Sequence, residues 1–276
     1  PLNINDNRTK FFSCNHVIDD DKLIAIGCSY GPNNIRLNYS FQNRNSTEIV
    51  KETGHLLVDI VKNIPKGIPV CGADMLRLSL LQSRFKEQNI KFDLQKTIKK
   101  RVFANKMHQT LRFILINLTD EFKEDSTFVV NTNILSKVDK WILFKLADLV
   151  NHCRLSFDSY DLHHSARKIE QFWTDHLCDV YLESIKKDIV GKTESYEKSM
   201  NVMLYVIRQA LKLIHPFMPF ITENLYQQLE YRLTSDYSYR SILESEYPKI
   251  QDDPVLVHFD RSIDKDMEKV IEITKK

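Results

Sequence analysis

Arg101, Asn105, His108 and Arg112 recur at i, i+4, i+7 and i+11 within KKRVFANKMHQTLRFIL, residues 99–115. At about 100° per residue this spacing gathers all four along one narrow stripe of a helix, and Lys99 and Lys106 flank it. Guanidinium and ammonium groups neutralise phosphates, while amide and imidazole groups hydrogen-bond the edges of unpaired bases. A stripe of this make-up suits a polyanion with accessible bases, which is to say RNA. An ordinary surface helix interleaves acids with bases for i,i+4 pairing, yet residues 99–115 contain no acid. Across Arg84–Arg112, nine Lys/Arg stand against Glu87 and Asp93, a net of +7. A merely solvated basic face is the competing reading of the same residues. The whole-chain net charge of +2 is too small to point to nucleic acid, so the case rests on this local cluster.

Other candidate chemistry is thinner. His163 and His164 are adjacent, and neighbours on a helix point about 100° apart, so the pair reads as surface decoration. No HxxxH, HExxH or CxxC spacing occurs, which leaves no zinc signature. The five cysteines, Cys14, Cys28, Cys71, Cys153 and Cys178, are odd in number and fit reduced thiols in a cytosolic compartment. Asp179 and Glu183 lie at i,i+4, but with no third ligand or nucleophile in register they read as braces between helices. No apolar run approaches the roughly 18 residues of a membrane span, and the first residues lack a secretory h-region.

The elements that must carry the stripe are helical. Five of the six glycines fall at or before Gly72, with four of the eight prolines, and mark a loop-rich start. Within it, the Asn-rich run at 30–46 reads as a loop or linker. After Gly72 apolar residues take up helical periodicity. Ile142, Leu146, Leu149 and Cys153 make one stripe, and Ile169, Phe172, Trp173, Leu177, Val180 and Tyr181 a second. Met203, Ile207, Leu211 and Ile214 make a third, ended by Pro216 and Pro219 in HPFMPF. FITENLYQQLEYRL continues as a sharply angled fourth helix. In 99–115 the core face is Phe103, Met107, Leu111, Ile114 and Leu115; Trp141 and Trp173 also read as core. Antiparallel helices joined by short connections predict a helical bundle.

The order of motifs then resembles one family. GADMLR (72–77), NIKFD, RVFANKMHQTLRF, VDKWILFKL, FWTDHLCDVYLESIK and HPFMPFITENLYQQL follow one another as in valyl-tRNA synthetases, where the catalytic domain hands over to the anticodon-binding bundle. GADMLR alone is shared with isoleucyl and leucyl enzymes. The likeness runs from about 16 to 250, nearly the whole chain, and LCDVYLE looks closest to eukaryotic cytosolic forms. It implies a mainly α fold: a helical bundle of the class I synthetase anticodon-binding type with a short irregular N-terminal remnant of the catalytic domain. The implied divisions are 1–82 for that remnant and its junction, 83–250 for the bundle and 251–276 for a C-terminal tail. Asp74 and Arg77 would brace the junction, and Lys99, Arg101, Asn105, Lys106, His108 and Arg112 would contact RNA. His108 replaces the bulky aromatic common in the family.

The implied activity of the parent enzyme is ATP-dependent joining of valine to its tRNA in the cytoplasm. This chain contains no HIGH signature. Where the family's KMSKS loop is expected, just before His16-Val17-Ile18-Asp19, Phe12 takes the place of the second lysine, and Lys10 stands out of register. A phenylalanine cannot place positive charge on ATP phosphates, a contact worth about 10²–10³ in rate. The expectations are therefore no catalytic residue, no metal and no cofactor in this chain. The expected partner is tRNA, tRNA(Val) foremost, with other synthetases or translation factors as further partners. A fragment of a longer enzyme and a catalytically inactive paralogue acting as an RNA-binding or protein scaffold both fit.

Overall fold

The computed structural model describes residues 10–14, 23–31, 34–41, 72–83, 94–125, 134–234, 241–250, 264 and 266–267. The chain divides into two units, Pro1–Pro69 and Val70–Lys276. In the first, β1 (Lys10–Cys14), β2 (Leu23–Gly31) and β3 (Asn34–Phe41) form an antiparallel meander in the order β1-β2-β3. Lys10 pairs with Tyr30 and Cys14 with Ile26; Gly31 pairs with Asn34 and Tyr30 with Ile35 across the β2–β3 hairpin. The Asn-rich run is thus not simply a linker, since its part from Asn34 to Phe41 is a strand. Alternating Ile35, Leu37, Tyr39 and Phe41 within it satisfy the period-2 pattern of a strand, and the asparagines had masked that signal.

The second unit is helical. Its described helices are α1 (Ala73–Leu81), α2 (Leu94–Asn117), α3 (Lys137–Asp158), α4 (Leu162–Gln171), α5 (Glu183–Gly191), α6 (Tyr196–Ile214) and α7 (Pro219–Thr234). A π-helical segment, Phe172–Leu182, joins α4 to α5 without a break. α3 packs on α4, the π segment and α6, while α2 packs on α1, the π segment and α7. The apolar stripes meet in one core: Ile142, Leu146, Cys153, Ile169, Leu177, Met203, Leu211 and Ile214 are wholly buried, as is Trp141. Leu115 departs from its expected place on the core face and is only half-buried. No described helix is long and apolar enough to cross a membrane.

The capping signals are legible in this unit. Ser136 and Asp139 form a reciprocal capping box at the start of α3. The Asp139 amide donates to Ser136 Oγ at 3.1 Å and Asp139 Oδ2 accepts from the Ser136 amide at 3.0 Å. Oδ1 of Asp139 is left to accept from the buried Tyr181 hydroxyl at 2.7 Å. Burial, together with the aspartate beside it, pushes the Tyr181 phenol well above its ordinary range.

The π segment replaces the uniform α-helix that periodicity predicts over 166–187. Its i→i+5 winding aligns residues five apart, as with the buried Phe172 and Leu177. It also carries His176 inward, edge-on to Trp141 at a ring separation of 5.7 Å. Burial pushes the His176 imidazole down to about 4, and Lys145 lowers it further against the opposing pull of Asp175 and Asp264. The folded state therefore keeps His176 neutral while the unfolded chain protonates it below about 6.5. Stability from this residue is full above pH 6.5 and is lost as pH falls towards 4. We expect it to cost about 2 kcal/mol between pH 7 and 5, read as the difference in urea midpoints between the parent and His176→Gln. Equal pH slopes in the two proteins would refute the assignment.

Candidate nucleic-acid interface

α2 presents its polar stripe to solvent. Lys99, Arg101, Asn105, His108 and Arg112 are all exposed, and among the described residues none of them has a hydrogen-bond or ion-pair partner. The opposite side of the helix, Phe103, Met107, Leu111 and Ile114, is buried. Phe103 is therefore a packing residue. The rise of about 1.5 Å per residue spreads Arg101 and Arg112 over about 16 Å of helix.

Two neighbouring cations are not available in the same way. Lys106 Nζ lies 2.6 Å from Asp179 in the π segment, and Lys100 Nζ lies 2.6 Å from Glu170 at the end of α4. The acid-free sequence of α2 thus acquires its acids from a helix some 70 positions downstream. Asp179 does brace two helices; Glu183 instead pairs with Lys186 of its own helix at 3.1 Å. What remains open is a line of Lys99, Arg101 and Arg112 with Asn105 and His108 between them.

At the far end of that line a groove of about 480 Å³ opens between α2 and α7, lined by His108, Gln109, Arg112, Leu115, Ile116 and Gln228. Ile116 is 69% exposed. An apolar wall with imidazole, guanidinium and amide groups around it can hold the face of a base and hydrogen-bond its edge. Gln109, Ile116 and Gln228 were not marked by the sequence. Ile116 lies just past residues 99–115, and Gln228 joins only through the α2–α7 packing. Arg232 fixes that packing by donating to Leu118 O at 2.9 Å and pairing with Asp120 at 2.7 Å.

Asp74 and Arg77 sit away from this groove, at the elbow between α6 and α7. Asp74 Oδ2 accepts from the Ile221 amide at 2.7 Å and Oδ1 from the Phe220 amide at 3.4 Å. These are first-turn donors of α7, which the helix itself cannot satisfy, following Pro219 at its first position. Arg77 Nη2 donates to Pro216 O at 3.1 Å. Inside the elbow, Thr222 Oγ1 donates to Met218 O at 2.8 Å and so accepts from His215 Nδ1, 2.7 Å away. Cys153 and Cys178 are free and buried, and desolvation pushes the Cys153 thiol up to about 12 and raises that of Cys178, which disfavours the thiolate in both.

A family model described as "Anticodon-binding domain of tRNA ligase" matches residues 139–276. Among curated proteins, the valine–tRNA ligase of Caenorhabditis elegans is 34% identical over 191 residues, 69% of this chain and 18% of the relative. That of Fervidobacterium nodosum is 36% identical over 66% of this chain and 20% of the relative. The mitochondrial valine–tRNA ligase of Saccharomyces cerevisiae is 36% identical over 68% of this chain and 17% of the relative. The chain spans about a fifth of the length of these relatives. Bacterial and mitochondrial relatives match as well as the nematode one, so the comparisons do not single out the eukaryotic cytosolic form.

Proposed function

Because the chain belongs to the anticodon-binding domain family of tRNA ligases, we propose that its helical unit binds the anticodon end of a tRNA along the open line of α2. One observation carries the reading: Lys99, Arg101 and Arg112 stand exposed, without acid partners among the described residues, in a line that ends at the groove between α2 and α7. Backbone phosphates meet the cations, and Asn105, His108 and the groove meet unpaired bases. tRNA(Val) is the proposed cognate, since the curated relatives are valine–tRNA ligases. Direct titration of the chain with tRNA(Val) and with other tRNAs over a range of salt tests this. Binding that weakens steeply with salt is expected; a flat salt response, or no binding near 50 mM salt, would end the proposal.

Lys106 gives a finer test. Its pairing with Asp179 holds one cation away from RNA. Asp179→Asn releases it, and should raise affinity and steepen the log–log salt slope by about 0.7–0.9, one added phosphate contact. An unchanged slope would show that Lys106 lies outside the interface.

The activity of the parent, ATP-dependent joining of valine to tRNA in the cytoplasm, belongs to the same proposal, with ATP held outside this chain. Valine-dependent pyrophosphate exchange by the 276-residue chain is accordingly expected to stay at background.

A further inference from the structure

The turn from α3 into α4 holds a second group of chemistry-bearing side chains, remote in sequence from α2. Asp161 occupies the N-cap of α4, where aspartate ordinarily accepts from amides of the first turn, yet its side chain makes no such bond. The carboxylate is instead turned to two imidazoles. One oxygen meets His163 Nδ1 and the other lies 2.7 Å from His164 Nδ1. The two rings lie 4.0 Å apart, inclined by 33°.

The surface reading of these histidines holds for His164, which is exposed, but not for its neighbour. His163 is only 9% exposed. Helical side chains also lean towards the N-terminus, so in a first turn both rings tip back over the residue that precedes the helix. Asp161 is held there by a tight turn: Tyr160 takes a left-handed backbone conformation, with φ of 55°, and the Asp161 amide donates to Ser156 O at 2.7 Å. A non-glycine residue is sterically disfavoured in that conformation, which surrounding structure must offset.

We infer that Asp161, His163 and His164 form a binding site for a divalent transition-metal ion of the zinc class. Their three ligand atoms all lie within 4.8 Å of one another. An ion about 2.0–2.2 Å from each nitrogen and oxygen would replace the two direct imidazole–carboxylate contacts. Two imidazoles with one carboxylate favour zinc, nickel or copper over calcium or magnesium, which take oxygen ligands. The His164 side chain is 53% exposed, giving the ion access from solvent and leaving a position for water. A bound ion would fasten the first turn of α4 to the corner that follows α3.

Cobalt(II) added to the full chain under reducing conditions reports the ligands through its visible absorption. One cobalt per chain is expected, with a nitrogen/oxygen spectrum lacking thiolate charge-transfer bands. Zinc should displace it and raise the melting temperature. His164→Ala, chosen because the side chain is half out of the protein, should weaken binding by at least about 10²-fold, more than loss of an outer-shell partner costs, while keeping its helical circular dichroism. His164→Gln serves the same purpose should the alanine variant lose helicity. No cobalt spectrum, thiolate bands, or equal binding by parent and a folded His164 variant would each overturn the site.

Discussion

Arg101→Glu combined with Arg112→Glu is expected to weaken tRNA binding by at least about 10²-fold near 50 mM salt and to flatten the log–log salt slope by about 1.4–1.8. The two arginines stand near opposite ends of the exposed face of α2, and neither has a partner among the described residues. Reversal therefore removes two cations and adds two anions without breaking any internal bond. Helicity by circular dichroism and the urea midpoint should match those of the parent, because exposed sites of this kind change stability by about 0.5 kcal/mol or less. That separation of binding from folding makes the result decisive. If the double variant binds tRNA as the parent does, with the same salt slope, α2 is a solvated face and nothing more.

Asp139→Ala should produce the largest loss of stability, about 3–4 kcal/mol. Asp139 is 4% exposed and serves two elements together. One oxygen completes the capping box at the head of α3, and the other receives the Tyr181 hydroxyl. Loss of a cap costs about 0.5–2 kcal/mol, and a buried hydroxyl left without an acceptor costs about 1–3 kcal/mol more. Tyr181→Phe keeps the cap and removes only the inter-helix bond, so it should cost clearly less. Urea denaturation of the three proteins checks the order; equal losses for the two variants would mean that capping contributes nothing measurable.

Helices were legible in the sequence where burial imposes a period. Leu146, Leu149 and Cys153, or Ile207, Leu211 and Ile214, face one core, and each substitution of a polar residue there would leave a buried gap or an orphan polar group. The α2 stripe was legible for the complementary reason, since exposed cations obey the same period on the other side. Charge partners from distant segments were not legible. Counting along residues 84–112 treats Lys100 and Lys106 as free, whereas Glu170 and Asp179 arrive through tertiary packing. Gln228 entered the groove by the same route. The Asp161–His163–His164 group escaped because angular spacing about a helix says nothing of the lean of side chains in its first turn. The switch from α to π winding at Phe172 also left no mark, because five-residue and four-residue repeats coincide over so short a run of apolar residues.

The contact between Asp74 and the Ile221 amide joins positions 147 apart. Closing a chain loop of that length costs about 4 kcal/mol of entropy if nothing else has formed. That cost falls once the intervening helices have condensed and shortened the loop. Once closed, it behaves as the buckle of a belt: α1 and α7 secure each other. α7 contributes Gln228 to the groove beside α2, so the shape of that groove depends on a side chain translated long before that wall itself.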